Sequence, residues 1–221
     1  MNNATKVVKV AITSDLMCPW CWVGLRKLQQ ASKATQIDIV IEWKPFMLRP
    51  NIPEEGQLKS DPTPETRVGR HLKAAGQSVG IDFTGLTDRT PNTALFHAVL
   101  HLLQDELRMD HKVVTAYHEA VFEGYFTTSI FPDDNGLLKA AHKVNDQAVT
   151  KAIESLLKDK PKLEQLKQHV REEARAASMR GISGVPSFSF NDEASPAFSG
   201  AQPVETFAHV LQHYASQKQE A

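Results

Sequence analysis

At 221 residues, 41% hydrophobic and 23% charged, the chain has a globular composition and can bury a full core without staples, which excludes disordered, collagenous and coiled-coil classes. Its 25 Lys+Arg against 26 Asp+Glu leave a formal net charge of -1, so there is no electrostatic reason to expect a nucleic-acid or anionic-membrane partner. The residues from Met1 to Lys6 hold no apolar leader core, and no apolar run reaches the roughly 18 residues of a membrane span, so a cytoplasmic protein is expected.

Val7 to Ile12 is β-branched, too short for a helix and followed by Thr13-Ser14-Asp15, which predicts a buried strand. From Pro19 the period changes: Trp22, Leu25 and Leu28 recur at helical spacing until the polar run from Ser32 to Gln36. Cys18 therefore falls at a helix N-terminus. Ile37 to Trp43 predicts a second strand, closed by Pro45 and Pro50, and residues 51 to 64 predict a surface loop. Thr63-Pro64 signals a helix running toward Gly76, and Thr90-Pro91 signals another carrying Leu95, Val99, Leu102, Leu103 and Leu107. Further helices are predicted at 110–125, 134–144 and 147–158, and a long one from Pro161 to Arg180, ended by Gly181 as its C′ residue. The period then returns to two. Val185 to Phe190 predicts a strand, Asn191-Asp192-Glu193 a turn, Ala197 to Gly200 the hairpin partner, and Val204, Phe207, Val210, Leu211 and Tyr214 a last helix. The order is β-α-β, a helical block, then β-β-α: an α/β chain whose halves, 1–60 and 181–221, flank an all-helical insertion at 61–180.

The two cysteines cannot build a disulfide framework; their placement is the informative feature. Cys18 and Cys21 form Cys18-Pro19-Trp20-Cys21, a spacing that about one random placement in a hundred would produce. Residues three apart on a helix lie roughly 5 to 6 Å apart at Cβ, close enough for small adjustments to close a disulfide. The helix start favours a thiolate at Cys18, which predicts it as the attacking sulfur. Cys21, one turn inside and between Trp20 and Trp22, is predicted to be buried and to resolve a mixed disulfide. Pro19 suits the first helical position, and Trp20 either tunes the pair or only packs. Zinc would need two more ligands; His97 and His101 stand at i, i+4, but nothing ties them to Cys18, so no metal is expected. Asp15 either raises the Cys18 pKa by its charge or serves as a turn and capping residue. Glu42 and Lys44 share a strand face, where they form a surface ion pair or relay a proton to Cys21.

A Cys-x-x-Cys pair at a strand-to-helix turn inside a βαβ unit resembles the thioredoxin-like signature. With the helical insertion and Gly184-Val185-Pro186, the chain resembles the DsbA branch of that superfamily, specifically its cytosolic FrnE-like members. The similar segments are Ser14 to Trp22, Trp43 to Pro50, Pro91-Asn92-Thr93 with His97, Tyr125-Phe126, Gly181 to Phe188 and Ser199 to Gln202. The resemblance implies a thioredoxin-like fold, a cis Val185–Pro186 bond packed against the cysteines, and a Val185 backbone free to pair with an extended substrate. It also implies that Asn92, Thr93 and His97 line the substrate cleft, although His97 is equally explained as a hydrogen-bonded helix residue.

The leading expectation is thus a thiol-disulfide oxidoreductase acting as a reductase, isomerase or oxidase of protein disulfides. No bound cofactor is expected beyond the redox-active pair, and glutathione is a candidate co-substrate. Its expected partners are protein or small-molecule thiols and disulfides, and it is expected to be a monomer or homodimer. An alternative is a glutathione-dependent transferase or isomerase, since kappa-class glutathione transferases and 2-hydroxychromene-2-carboxylate isomerases look alike in element order but carry serine where this chain has Cys18. A third reading is a chaperone or interaction module built on the helical block.

Overall fold

The computed structural model of the chain describes residues 6–192 and 197–217, so Glu193 of the expected turn lies outside the described residues. Strand β1 (Val7–Ser14) leads through Cys18 into helix α1 (Pro19–Thr35) and returns as β2 (Asp38–Pro45), parallel to β1 with Ile12 opposite Trp43. After the helical block, β5 (Ser187–Phe190) and β6 (Phe198–Ser199) form the hairpin, and α9 (Val204–Gln217) closes the chain. The sheet has the order β2-β1-β5-β6, with β5 antiparallel to β1. Alternation along β1 buries Val8, Val10 and Ile12 while Val7 and Lys9 face solvent, as a period of two requires. The chain therefore has the thioredoxin-like architecture its residues resemble.

Between the halves lie α2 (Pro64–Arg67), α3 (Arg70–Gln77), α4 (Ala94–His101), α5 (His111–Phe126), α6 (Asp134–Val144), α7 (Gln147–Lys158) and α8 (Lys160–Met179). Two short strands, β3 (Gln57–Leu58) and β4 (Arg89–Thr90), pair antiparallel inside segments expected to be a loop and a helix start. The helix expected from Thr63 toward Gly76 is broken. Thr63 and Thr66 form a capping box at its start, but Val68 is extended and Gly69 restarts the chain as the N-cap of α3. Arg67 accounts for the stop: its guanidinium donates to the carbonyls of Asp61, Pro62 and Gly85, bending the segment back on itself. The helix expected from Thr90 begins instead at Ala94, whose N–H donates to the Asn92 side chain, because Thr90 is held in β4 opposite Gln57.

Helix α4 runs on into a π-helical turn at Leu102–Glu106. That turn delivers Gln104 to β2, the edge of the sheet, where its side-chain oxygen accepts from Trp43 N at 2.7 Å and its amide donates to Trp43 O at 3.2 Å. One side chain thus satisfies backbone groups that an edge strand leaves open. Helix α8 ends at Met179, and Gly181, at φ 93°, takes the left-handed position beyond its end. A continuous apolar cluster runs from Val8 and Trp43 through Tyr117, Phe122 and Leu156 to Phe207 and Leu211, so the sheet and the helical block share one core. Glu119 of α5 reinforces the junction, taking an ion pair from Arg26 at 2.8 Å and hydrogen bonds from Trp22 Nε1 and Gln29 of α1. Among the described residues no helix is long and apolar enough to cross a membrane.

Candidate active site

Strand register assembles the site. Thr13 pairs with Ser187, so beyond that rung Ser14-Asp15 on one strand and Pro186-Val185 on the other run on together toward Cys18. Cys18 is the N-cap residue of α1, extended at φ -94° and ψ 105°, with Pro19 beginning the helix. Its backbone N–H donates to Asp15 O and its carbonyl accepts from Cys21 N, both at 3.0 Å. The thiol does not cap the helix; it donates to Val185 O at 3.3 Å. The Val185–Pro186 peptide is cis. In the thiol form, then, the Val185 carbonyl is Cys18's acceptor, and ionisation of Cys18 removes the donor and frees it.

The two sulfurs are electrostatically unlike. Cys18, 7% exposed, is pushed below the ordinary thiol range, chiefly by a hydrogen bond from the Cys21 side chain. Burial opposes this, the backbone N–H groups of Cys21 and Trp20 support it, and the Asp15 charge opposes it weakly. Cys21 is fully buried and held well above the ordinary range by that burial, so it stays protonated and can keep donating. The Ser14 hydroxyl beside it acts slightly in the other direction. A low-pKa sulfur at a helix mouth with a protonated partner one turn in is the arrangement thiol exchange needs: one thiolate to attack, one thiol to resolve.

The remaining expected site residues fall into two groups. Trp20 is half-buried and packs against His71 of α3 with ring centroids 5.3 Å apart and tilted at 43°, so it joins the helical block to the motif. Asp15 is fully buried and accepts from Leu48 N at 2.7 Å and Met17 N at 3.4 Å; it braces two loops while its charge reaches Cys18. Asn92, Thr93 and His97 are placed behind the site rather than in its open cleft. Asn92 donates to Ile52 O at 2.6 Å and accepts from Ala94 N, Thr93 is the buried N-cap of α4, and buried His97 lies with Nε2 3.0 Å from Phe46 O and 3.8 Å from Asp15. The Asn92 amide and the His97 ring thus hold the 46–52 segment at its two ends. Glu42 and Lys44 pair with each other near the surface, and neither is among the groups that shift Cys21.

The open cleft, about 650 Å³, starts at Met17 and Pro19 and is walled by Leu48, Arg49, Lys59 and Tyr125. Two of its cations are engaged: Arg67 as described, and Lys59 by Thr87 O at 3.0 Å and by the Tyr125 ring. Arg49 is exposed beside the motif. Sequence periodicity carried no signal for this wall. Gly24 contributes as well: a Cβ there would stand 3.1 Å from the Phe188 ring and 3.2 Å from the Pro186 ring, so a larger residue would have to push those side chains back by a few tenths of an ångström.

Asp15→Asn is expected to move the pH profile of Cys18 alkylation to lower pH. The substitution removes a charge that disfavours the thiolate and leaves an oxygen to accept from Leu48 N. Iodoacetamide rates measured across pH check this; an unchanged or upward-shifted profile contradicts it.

Comparison with known proteins agrees with this fold. Residues 9–212 match the family model described as a DSBA-like thioredoxin domain. The uncharacterized protein YwbO of Bacillus subtilis is 28% identical over 203 residues, covering 90% of this chain and 94% of that protein. A probable DsbA oxidoreductase, SCO1869, of Streptomyces coelicolor superposes with a TM-score of 0.75 at 26% identity, over 95% of this chain and 91% of that one. A 2-hydroxychromene-2-carboxylate isomerase shares the fold at a TM-score of 0.65 and 17% identity, covering 96% of this chain and 98% of that one.

Proposed function

Because the chain belongs to the DSBA-like thioredoxin domain family, we propose that Cys18 and Cys21 are its redox centre and exchange a disulfide with protein or small-molecule substrates. The observation that carries this reading is the asymmetry of the pair: a depressed thiol at the helix mouth beside a buried, protonated one. In the reductive direction the Cys18 thiolate attacks one substrate sulfur, the substrate's other sulfur leaves as a thiolate and takes up a proton, and a mixed disulfide joins Cys18 to the substrate. Cys21 then gives up its proton and attacks Cys18, releasing the second substrate thiol and leaving a Cys18–Cys21 disulfide. Two electrons pass from protein to substrate, and an external thiol such as glutathione restores the pair.

A cytoplasmic setting, where the glutathione pool holds dithiols reduced, runs the cycle as reductase or isomerase. The Val185 backbone beside Cys18 supports pairing with an extended substrate strand, as its carbonyl is released when Cys18 ionises. A second reading, glutathione-dependent transfer or isomerisation, draws on the fold shared with the isomerase and on a cleft within the size range of small-molecule sites. The thiol at position 18 favours the first.

Insulin reduction with glutathione as electron source, run beside glutathione conjugation to an aryl halide, separates the two. Disulfide reduction that stops when both cysteines are alkylated is expected. Conjugation that survives alkylation, with no disulfide reduction, would overturn the proposal.

A further inference from the structure

We propose that His101, Asp105, His169 and Glu173 form a binding site for a divalent transition-metal cation that clamps the end of α4 to α8, sharing no residue with the cysteine site. The placement follows from two helical spacings. His101 and Asp105 stand at i, i+4 across the junction of α4 with the π turn, and His169 and Glu173 stand at i, i+4 on α8. Each pair occupies one helix face, and α4 and α8 bring the two faces together.

The donors converge. One ligand atom each from His101, His169 and Glu173 lie within 4.8 Å of one another. His101 Nδ1 is 3.1 Å from Asp105 Oδ2 and 4.0 Å from Glu173 Oε2, and that same Glu173 oxygen is 3.7 Å from His169 Nε2. The imidazole rings lie 4.5 Å apart. Around a cation with arms of about 2.0 to 2.2 Å, tetrahedral donors are separated by roughly 3.3 Å, so small side-chain rotations close the His101, His169 and Glu173 set, and Asp105, 3.1 Å from His101, stands beside it as the fourth donor. His169, Glu173 and Asp105 are 48%, 38% and 41% exposed and have room to make them. A cavity of about 10 Å³, lined by His101, Asp105 and Glu173, lies beside the donors, with Leu100 and Val170 among its walls.

The chemistry of the donors selects the cation. Two imidazoles with two carboxylates suit zinc and its first-row neighbours, whereas calcium and magnesium want oxygen alone. Glu106 lies near His101, with its charge paired to Lys162 at 2.6 Å. Lys44 is the cation that acts on Asp105 from β2, and its amine is paired with Glu42. The alternative is a plain ion-pair network, in which His101 shares its proton with Asp105 and nothing else is bound.

Zinc titrated calorimetrically into tag-free Cys18→Ser/Cys21→Ser protein decides between them, since the dithiol, itself a zinc ligand, is then gone. One saturable equivalent is expected, with affinity at least about tenfold weaker when His169→Ala or Glu173→Gln is added to that background. Both positions are half-exposed, and metal-free thermal unfolding confirms that the variants fold. Absence of saturable zinc binding in the cysteine-free protein, or binding unchanged in both variants, would overturn the proposal.

Discussion

Replacing Cys18 with serine is expected to lower protein-disulfide reduction by about 10³-fold or more, the scale on which a lost nucleophile costs an enzyme its rate. The hydroxyl has the shape to sit at the N-cap and to donate to Val185 O, as the thiol does at 3.3 Å, so the fold should stay within about 1 kcal/mol of the parent. What is lost is the anion. A serine hydroxyl at the helix mouth does not ionise near neutral pH, and Cys21, fully buried and held protonated by that burial, cannot attack a substrate in its place. Insulin-reduction rates, with thermal unfolding as the fold control, check this. Retention of more than a tenth of the parent rate in a folded variant would remove Cys18 from the mechanism.

Cys21→Ser is expected to do something different: it should trap substrates instead of ignoring them. The largest influence lowering the Cys18 pKa is the hydrogen bond from the Cys21 side chain, and a serine hydroxyl can still donate there. The variant therefore keeps an attacking thiolate, forms the mixed disulfide and has no second sulfur to release it. Mixed disulfides should persist about 10² to 10³ times longer than in the parent, visible on non-reducing gels and mapping by mass spectrometry to Cys18. Cys21→Ala should trap less readily, because it removes the donor as well as the resolving sulfur. Rapid release from Cys21→Ser would mean that an outside thiol, not Cys21, resolves the intermediate.

Much of the frame was legible because it rests on local periodicity. The β-branched run at Val7, the helical stripe after Pro19 and the return to alternation after Pro186 each report burial of one face, and the structure places strands and a helix there, the last strand starting at Ser187 and not at the expected Val185. The features that escaped depend on contacts far along the chain. Gln104 is an ordinary polar residue until a π turn aims it at Trp43, and Arg67 breaks a well-signalled helix only because carbonyls at 61, 62 and 85 surround it. Gly24 carries no special φ; its role is visible only once Pro186 and Phe188 lie against it.

The histidines show the same division. His97 and His101 look like a pair at i, i+4, yet one turns to Phe46 and Asp15 and the other to Asp105 and Glu173. His101's aromatic neighbour, His169, is on a different helix, a proximity no spacing rule reports. For the cysteines, by contrast, both members and their helix start lie within four residues, so their placement together at the mouth of α1 was readable from the chain alone.

The most direct test is to equilibrate the reduced protein with graded mixtures of reduced and oxidised glutathione, quench with an alkylating reagent and weigh the products. A single two-electron transition is predicted, in which Cys18 and Cys21 lose reactivity together: the products carry either two alkyl groups or none, and the unalkylated form weighs two hydrogens less than the unmodified dithiol protein, with no glutathione attached. If the sulfurs are lost independently, or Cys18 ends as a stable glutathione adduct while Cys21 remains a thiol, the two do not form a redox pair and the account fails.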